Sequence, residues 1–350
     1  MNNHLRSGMK KGFNILPVCY NLLCTLFTGV RRSGVKVSLA ILLISSIATA
    51  AVAQNQFRVV GYYSLRSALE GGRDAPLKRL THVNLWFLNP DSLGDFTQDL
   101  SALDRFVSRA HRKNVKVLFS IGGGSKQPQY HKLLQDEYRQ PFIDNLVSVV
   151  LKTGVDGIDV DLEGSDINDN YENFIIGLAK ELRSHNKIIT AAIAVYYKDQ
   201  LSDNALAQYD FVNVMSYDRT GPWRPEKPGP HAAYEHAVED LEYFGAVRKI
   251  PKEKMTLGVP FYGYGYGPEV TSPAISMNYR EIVTAFSGAE RVDEWKREDG
   301  KIIYYNGLPT IKRKTELAKE KASGIMIWQV LGDAKGGKSL LRAIHKMYDN

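Results

Sequence analysis

The stretch Asp156-Gly157-Ile158-Asp159-Val160-Asp161-Leu162-Glu163 places acids at 159, 161 and 163 and aliphatic residues at 158, 160 and 162. On a strand, successive side chains point to opposite faces, so this spacing makes one acidic face and one apolar face. As the fourth strand of a barrel it would pack Ile158, Val160 and Leu162 on helices and send the acids inward. Glu163 would then lie at the C-terminal rim, where barrel enzymes carry their catalytic groups. Such a file is electrostatically costly. Two carboxylates about 6.6 Å apart repel by about 2.5 kcal/mol at an effective dielectric of about 20, nearly two pK units. At least one acid is therefore expected to keep its proton near neutrality, which prepares a general acid. An exposed acidic edge strand fits poorly, because the alternating residues are too apolar. A carboxylate site for a hard cation stays open as the rival reading.

Outward from this stretch, short apolar runs alternate with amphipathic segments. The runs are Val59–Ser64, Thr81–Leu88, Val115–Ile121, Val155–Glu163, Ile188–Val195, Phe211–Tyr217, Met255–Tyr262 and Gly324–Val330. Helix-period segments between them include Leu103–Lys113, Gln140–Lys152, Tyr171–His185, Ala232–Val247 and Lys312–Ala322. Eight β units with intervening helices predict an α/β fold, a (β/α)8 TIM barrel. The last two runs start 69 residues apart (324 − 255). A strand and a helix with turns account for roughly 25 of these, which leaves roughly 40 for a reduced insertion between strands 7 and 8. That insertion is expected between Gly267 and Pro309, with a helix at Tyr279–Phe286 and a strand at Lys301–Tyr305.

The composition, 44% hydrophobic and 24% charged, is that of a globular chain and excludes a mainly disordered or multi-span membrane protein. The net charge of +7 is concentrated at one end. Residues 1–53 hold Arg6, Lys10, Lys11, Arg31, Arg32 and Lys36 and no acid, so the rest carries 7 − 6 = +1. The basic balance therefore gives no reason to expect a nucleic-acid partner. Residues 1–53 read as a signal or leader segment: basic residues 31–36 precede the apolar run Val37–Val52, and Ala51-Val52-Ala53 has small residues at a cleavage spacing. Both cysteines, Cys19 and Cys24, fall within it. The expectation is an exported chain, periplasmic or extracellular, with residues 54–350 forming a single catalytic barrel domain. No membrane association is expected after cleavage, and the mature chain is expected to be a monomer.

The acidic stretch resembles the D-G-x-D-x-D-x-E signature of glycoside hydrolase family 18, the chitinases and related endo-β-N-acetylglucosaminidases. Other strands agree with it. Ser120-Ile121-Gly122-Gly123 is similar to the family's S-x-G-G, Met215-Ser216-Tyr217-Asp218 to M-x-Y-D, and Gly258-Val259-Pro260-Phe261-Tyr262-Gly263 to G-x-P-F-Y-G. Gly61-Tyr62-Tyr63 matches the first strand, and Trp328 ends the eighth, as the family's floor tryptophan does. The resemblance implies a secreted hydrolase of β-1,4-linked N-acetylglucosamine, with chitin oligomers favoured over N-glycans as substrate. It implies a retaining, substrate-assisted mechanism, and no cofactor or metal. Glu163 would be the general acid and base, Asp161 would stabilise the substrate's acetamido N–H, and Asp159 would share a proton behind it. Tyr62 and Ser120 would support Asp159, Tyr217 would hold the acetamido group, and Trp328 would stack under the sugar. Met215, Asp218 and Tyr262 would line the pocket. The alternatives are an endo-β-N-acetylglucosaminidase acting on N-glycans and a non-catalytic sugar-binding barrel.

Some positions depart from the family pattern. Leu162 stands where many chitinases have an aromatic, and Tyr264 where many relatives carry Arg. Trp223, after Gly221-Pro222, is a candidate stacking platform on the leaving-group side, with core packing the alternative. Gly122-Gly123-Gly124-Ser125-Lys126 lacks the spacing of a phosphate loop. The eight histidines show no ligand spacing.

Overall fold

The computed structural model describes residues 57–267 and 275–348. The expected leader, Met1–Ala53 with Cys19 and Cys24, lies outside the described residues. Strands β1 (Arg58–Ser64), β2 (His82–Trp86), β3 (Lys116–Gly122), β4 (Gly157–Asp161), β5 (Ile188–Ile193), β6 (Phe211–Val214) and β7 (Met255–Pro260) precede an inserted sheet. That sheet holds β8 (Tyr262–Tyr266), β9 (Ile275–Asn278), β10 (Glu294–Lys296) and β11 (Ile302–Tyr304), and β12 (Gly324–Trp328) returns to the main sheet. Strands β1 to β7 and β12 pair in parallel and close into a barrel, with β1 joined to both β2 and β12. The (β/α)8 expectation holds, strand for strand.

The helices follow from apolar spacing. Tyr171–Ser184 buries Tyr171, Phe174, Ile175, Leu178, Ala179 and Leu182, one stripe at three- and four-residue steps. The helix Asp136–Thr153 begins four residues before the predicted segment and carries Pro141 inside it. It stops at Gly154, whose φ of 72° is the left-handed conformation that suits a helix C-terminus. The outward faces of the strands and these stripes form one continuous apolar layer, including Ile158, Val160 and Leu162. Burying each such large side chain contributes about 1.5–3 kcal/mol.

Inside the barrel the packing is different. Val60, Tyr62, Phe211 and Met326 form a separate cluster against Trp86, Met215 and Trp328. Polar residues Ser120, Asp159, Thr190, Asn213 and Thr256 are buried in successive strands. Register sets them side by side: Ser120 pairs with Asp159, Asp159 with Thr190, and Asn213 with Thr256.

The insertion begins earlier than the sequence suggested. After Pro260 the chain leaves the barrel, and Tyr262–Tyr266 forms an antiparallel strand of the inserted sheet, whose order is β10-β11-β8-β9. Phe261 marks the change: it is fully buried, its N–H bonds the Trp328 carbonyl at 2.8 Å, and its carbonyl accepts from the Tyr279 N–H at 2.9 Å. The inserted helix spans Tyr279–Ala285 and opens with a capping box between Asn278 and Glu281. Its predicted strand appears as Ile302–Tyr304.

Candidate active site

The C-terminal ends of the barrel strands surround a cavity of about 650 Å³. Asp161 and Glu163 line it from β4 and the residues just after. Met215, Tyr217 and Asp218 line it from the segment after β6, and Trp328 from the end of β12. The cavity lies where a barrel enzyme holds its substrate.

A glycine turn sets the rim beside β4. Gly122 and Gly123 have φ of 98° and 99°, the left-handed side that glycine alone enters freely. The Gly123 N–H donates to the Asp161 carbonyl at 2.7 Å. A Cβ on Gly122 would sit 2.3 Å from that carbonyl oxygen, and one on Gly123 would sit 2.4 Å from the Phe87 ring. Closeness here brings Phe87 over Trp328, with ring centroids 5.8 Å apart and nearly parallel. Trp328 also meets the rings of Tyr62 and Trp86, so the apolar floor of the cavity is held by several strands.

Asp159 lies beneath the floor, fully buried. Tyr62 Oη and Ser120 Oγ donate to its Oδ2 at 2.6 and 2.8 Å. Thr190 Oγ1 and Asn213 Nδ2 donate to its Oδ1 at 2.6 and 3.1 Å. Burial raises its pKa, and the four donors oppose that rise by favouring the ionised form. Asp161 differs. It is equally buried, its Oδ1 has no hydrogen-bond partner, and burial with the charges of Glu163 and Asp159 pushes its pKa well up. Glu163 is raised by burial and by the charges of Asp218 and Asp166, while a hydrogen bond from Tyr197 draws it back. The file therefore takes up a proton most readily at Asp161, where no donor shares the charge.

The remaining candidates divide. Tyr262 does not line the cavity; it stands behind Asp218, and its hydroxyl donates to Asp218 Oδ1 at 2.6 Å. Tyr264 Oη reaches the same oxygen at 3.1 Å, as does His231 Nδ1. Trp223 lines the cavity while 57% exposed and meets Tyr264 edge-on, with centroids 5.8 Å apart. Tyr217 is buried against Tyr262.

These parts point to one family, and sequence comparison agrees: the model of the Glycosyl hydrolases family 18 matches residues 58–333. The chain belongs to glycosyl hydrolase family 18. It is similar to the family 18 chitinase ChiB from the chitin utilization locus of Flavobacterium johnsoniae. That structure is 36% identical, with a TM-score of 0.75 over 84% of this chain and 94% of the other. The chitinase-like mite allergen Der f 18.0101 of Dermatophagoides farinae is 30% identical over 220 residues, covering 60% of this chain and 45% of its own length. An endochitinase of Manduca sexta is 26% identical over 277 residues, covering 66% of this chain and 49% of its own. The chain thus spans about half the length of these two curated relatives.

Sequence reasoning missed several groups of the family 18 site. Thr190 and Asn213 had a signal, since each is a polar residue in an otherwise apolar strand run. Phe87, which faces Trp328 at the floor, ends Asn84-Leu85-Trp86-Phe87, a loose match to the family's aromatic-rich second strand that carried no assigned site role. Tyr197 lies in a short turn after β5 and donates to Glu163 Oε2 at 2.8 Å, a partnership no local pattern announces. Among the described residues no cluster of three His, Cys, Asp or Glu side chains is arranged to hold a metal ion. None of the described helices is long and apolar enough to cross a membrane.

Proposed function

We propose that this family 18 barrel hydrolyses β-1,4-linked N-acetylglucosamine, chitin oligomers in particular, using the substrate's own acetamido group as nucleophile. The observation that carries this reading is Asp161, which lines a cavity floored by Trp328 and Phe87 and whose buried Oδ1 has no hydrogen-bond partner. A buried acceptor without a donor is costly, and an acetamido N–H supplies the donor as the sugar settles on the aromatic floor. With the N–H held at Asp161 and the group against Tyr217, the acetamido oxygen faces the anomeric carbon. Glu163 gives its proton to the glycosidic oxygen as the C–O bond breaks, and the acetamido oxygen forms the new bond, giving an oxazolinium ion. Glu163, now a carboxylate, takes a proton from water, which attacks the same carbon and reopens the ring. Two inversions leave the β configuration.

The inserted sheet is short, so one wall of the cleft is low, and soluble oligomers are favoured over crystalline chitin. Residues 1–53 serve as an export leader and the remainder as a single catalytic barrel acting as a monomer. Early-time NMR of chitotetraose digestion tests the chemistry. The β anomer is expected first; the α anomer first would overturn the mechanism. Glu163→Gln should lower turnover by about 10²–10⁴-fold, or about 3–5 kcal/mol, and near wild-type turnover would overturn the site.

A further inference from the structure

Glu163 must be an acid in one step and a base in the next, and its contacts outside the D-x-D-x-E file bear on that change as well as Asp161 within it. A group from the neighbouring strand touches it. Tyr197, in the turn Val195–Tyr197 after β5, donates from Oη to Glu163 Oε2 at 2.8 Å. The other oxygen, Oε1, lies over Gly124, where a Cβ would come within 3.4 Å of it. Gly164, directly after the acid, has φ of 56°, and a Cβ there would meet the Tyr197 ring at 3.9 Å. Glu163 is thus turned toward β5, while Asp161 Oδ1 stays unpartnered.

We propose that Tyr197 is the positioning residue of Glu163: it holds the carboxylate at the cavity wall and sets the pH range over which Glu163 works. This rests on Glu163 being the acid and base of the proposed reaction. Tyr197 keeps its own proton throughout. Burial and the neighbouring Glu163 raise the phenol further above its ordinary value, so it donates a hydrogen bond and transfers nothing. A donor favours the ionised carboxylate, which is the base of the second step. It opposes burial and the charges of Asp218 after β6 and Asp166 after β4, all of which favour the protonated acid; Asp161 on β4 lies beside the same carboxylate. Arg219 and Arg224 line the same cavity from the segment after β6.

The alkaline limb of kcat/KM on chitotetraose reports loss of the Glu163 proton. In Tyr197→Phe the limb should move up by about one pH unit, with the melting temperature close to wild type. Incorporating 3-fluorotyrosine at 197 keeps the ring and strengthens the donor, so the limb should move down. A folded Tyr197→Phe with an unmoved limb overturns the proposal. Should that variant fail to fold, a fluorotyrosine limb that is unchanged or higher overturns it. Glu163→Gln separates the two readings: if it stays active, the proposed reaction itself fails. If it is inactive while both Tyr197 limbs stay in place, only the role of Tyr197 fails.

Discussion

Asp218 and Tyr262 are joined by a 2.6 Å hydrogen bond between the rim after β6 and the first strand of the inserted sheet. Asp218 has φ of 61°, an uncommon conformation for a residue with a side chain. Its Oδ1 also accepts from Tyr264 and His231, so groups from two segments converge on one oxygen. The insertion therefore braces the active-site wall as well as extending it.

Removing the shortest of these bonds should loosen Asp218 without unfolding the barrel. Tyr262→Phe loses a hydrogen bond to a charged group, worth about 1.5–3 kcal/mol. We expect kcat/KM on chitotetraose to fall about 10-fold or more, with Tyr264→Phe milder. Equal effects from the two variants would show that the bond lengths do not rank the braces.

Asp161 should cost stability at neutral pH. Its folded pKa is raised well above the ordinary carboxyl value. The stability associated with such a group is fully present below the unfolded pKa and is lost as pH rises through the folded one. Asp161→Asn should therefore be inactive and yet melt higher than the parent at pH 7–8, by at least about 2 °C. The gap should close toward pH 4. Melting curves of both proteins across that range check it; a variant less stable at pH 8 would contradict the burial account.

The glycine turn beside β4 should tolerate no side chain. Gly122→Ala sets a methyl group 2.3 Å from the Asp161 carbonyl and in a left-handed conformation. We expect destabilisation of more than about 3 kcal/mol, measured by denaturant unfolding. Activity should fall further than at Gly154→Ala, a helix end with open space around it.

Lys314 offers a prediction away from the cavity. It is fully buried, donating to the Ala232 carbonyl at 2.8 Å and to Asn306 Oδ1 at 2.9 Å, which ties the insertion to the loop after β6. Burial lowers its pKa to about 7. For a lysine this sign means that folding stability rises with pH from about 7 toward the ordinary value near 10. Lys314→Met should flatten that rise in a pH series of unfolding curves. It should also lose stability overall, because the buried Asn306 Oδ1 is left without a donor, while the Ala232 carbonyl keeps the one from Asn306 Nδ2.

The barrel was legible because its strands carry period-two or fully apolar runs and its helices a 3.6-residue stripe, both set by which face is buried. The file Asp159–Glu163 was legible for the same reason. Tyr197 was not, since a turn residue reaches Glu163 only through the pairing of β4 with β5. The start of the insertion was not legible, because the apolar run Met255–Tyr262 continues past Pro260, where the chain leaves the barrel. Only the buried Phe261 turn shows the chain changing sheets. For Trp223 the local sequence leaves a stacking platform and core packing both open, and the structure sets it at the cavity edge, exposed and against Tyr264.

The inserted sheet is built entirely from chain between β7 and β12, leaving and rejoining the barrel at Phe261 and at the helix Leu308–Lys321. For protein engineering this makes it an exchangeable cassette. Longer sheets grafted from Gly267 onward could raise a second wall and lengthen the stretch of polysaccharide gripped, while Asp159, Asp161 and Glu163 stay untouched in their strands. The graft has one fixed requirement at its base: Tyr262 and Tyr264 must be kept, because they belong mechanically to Asp218.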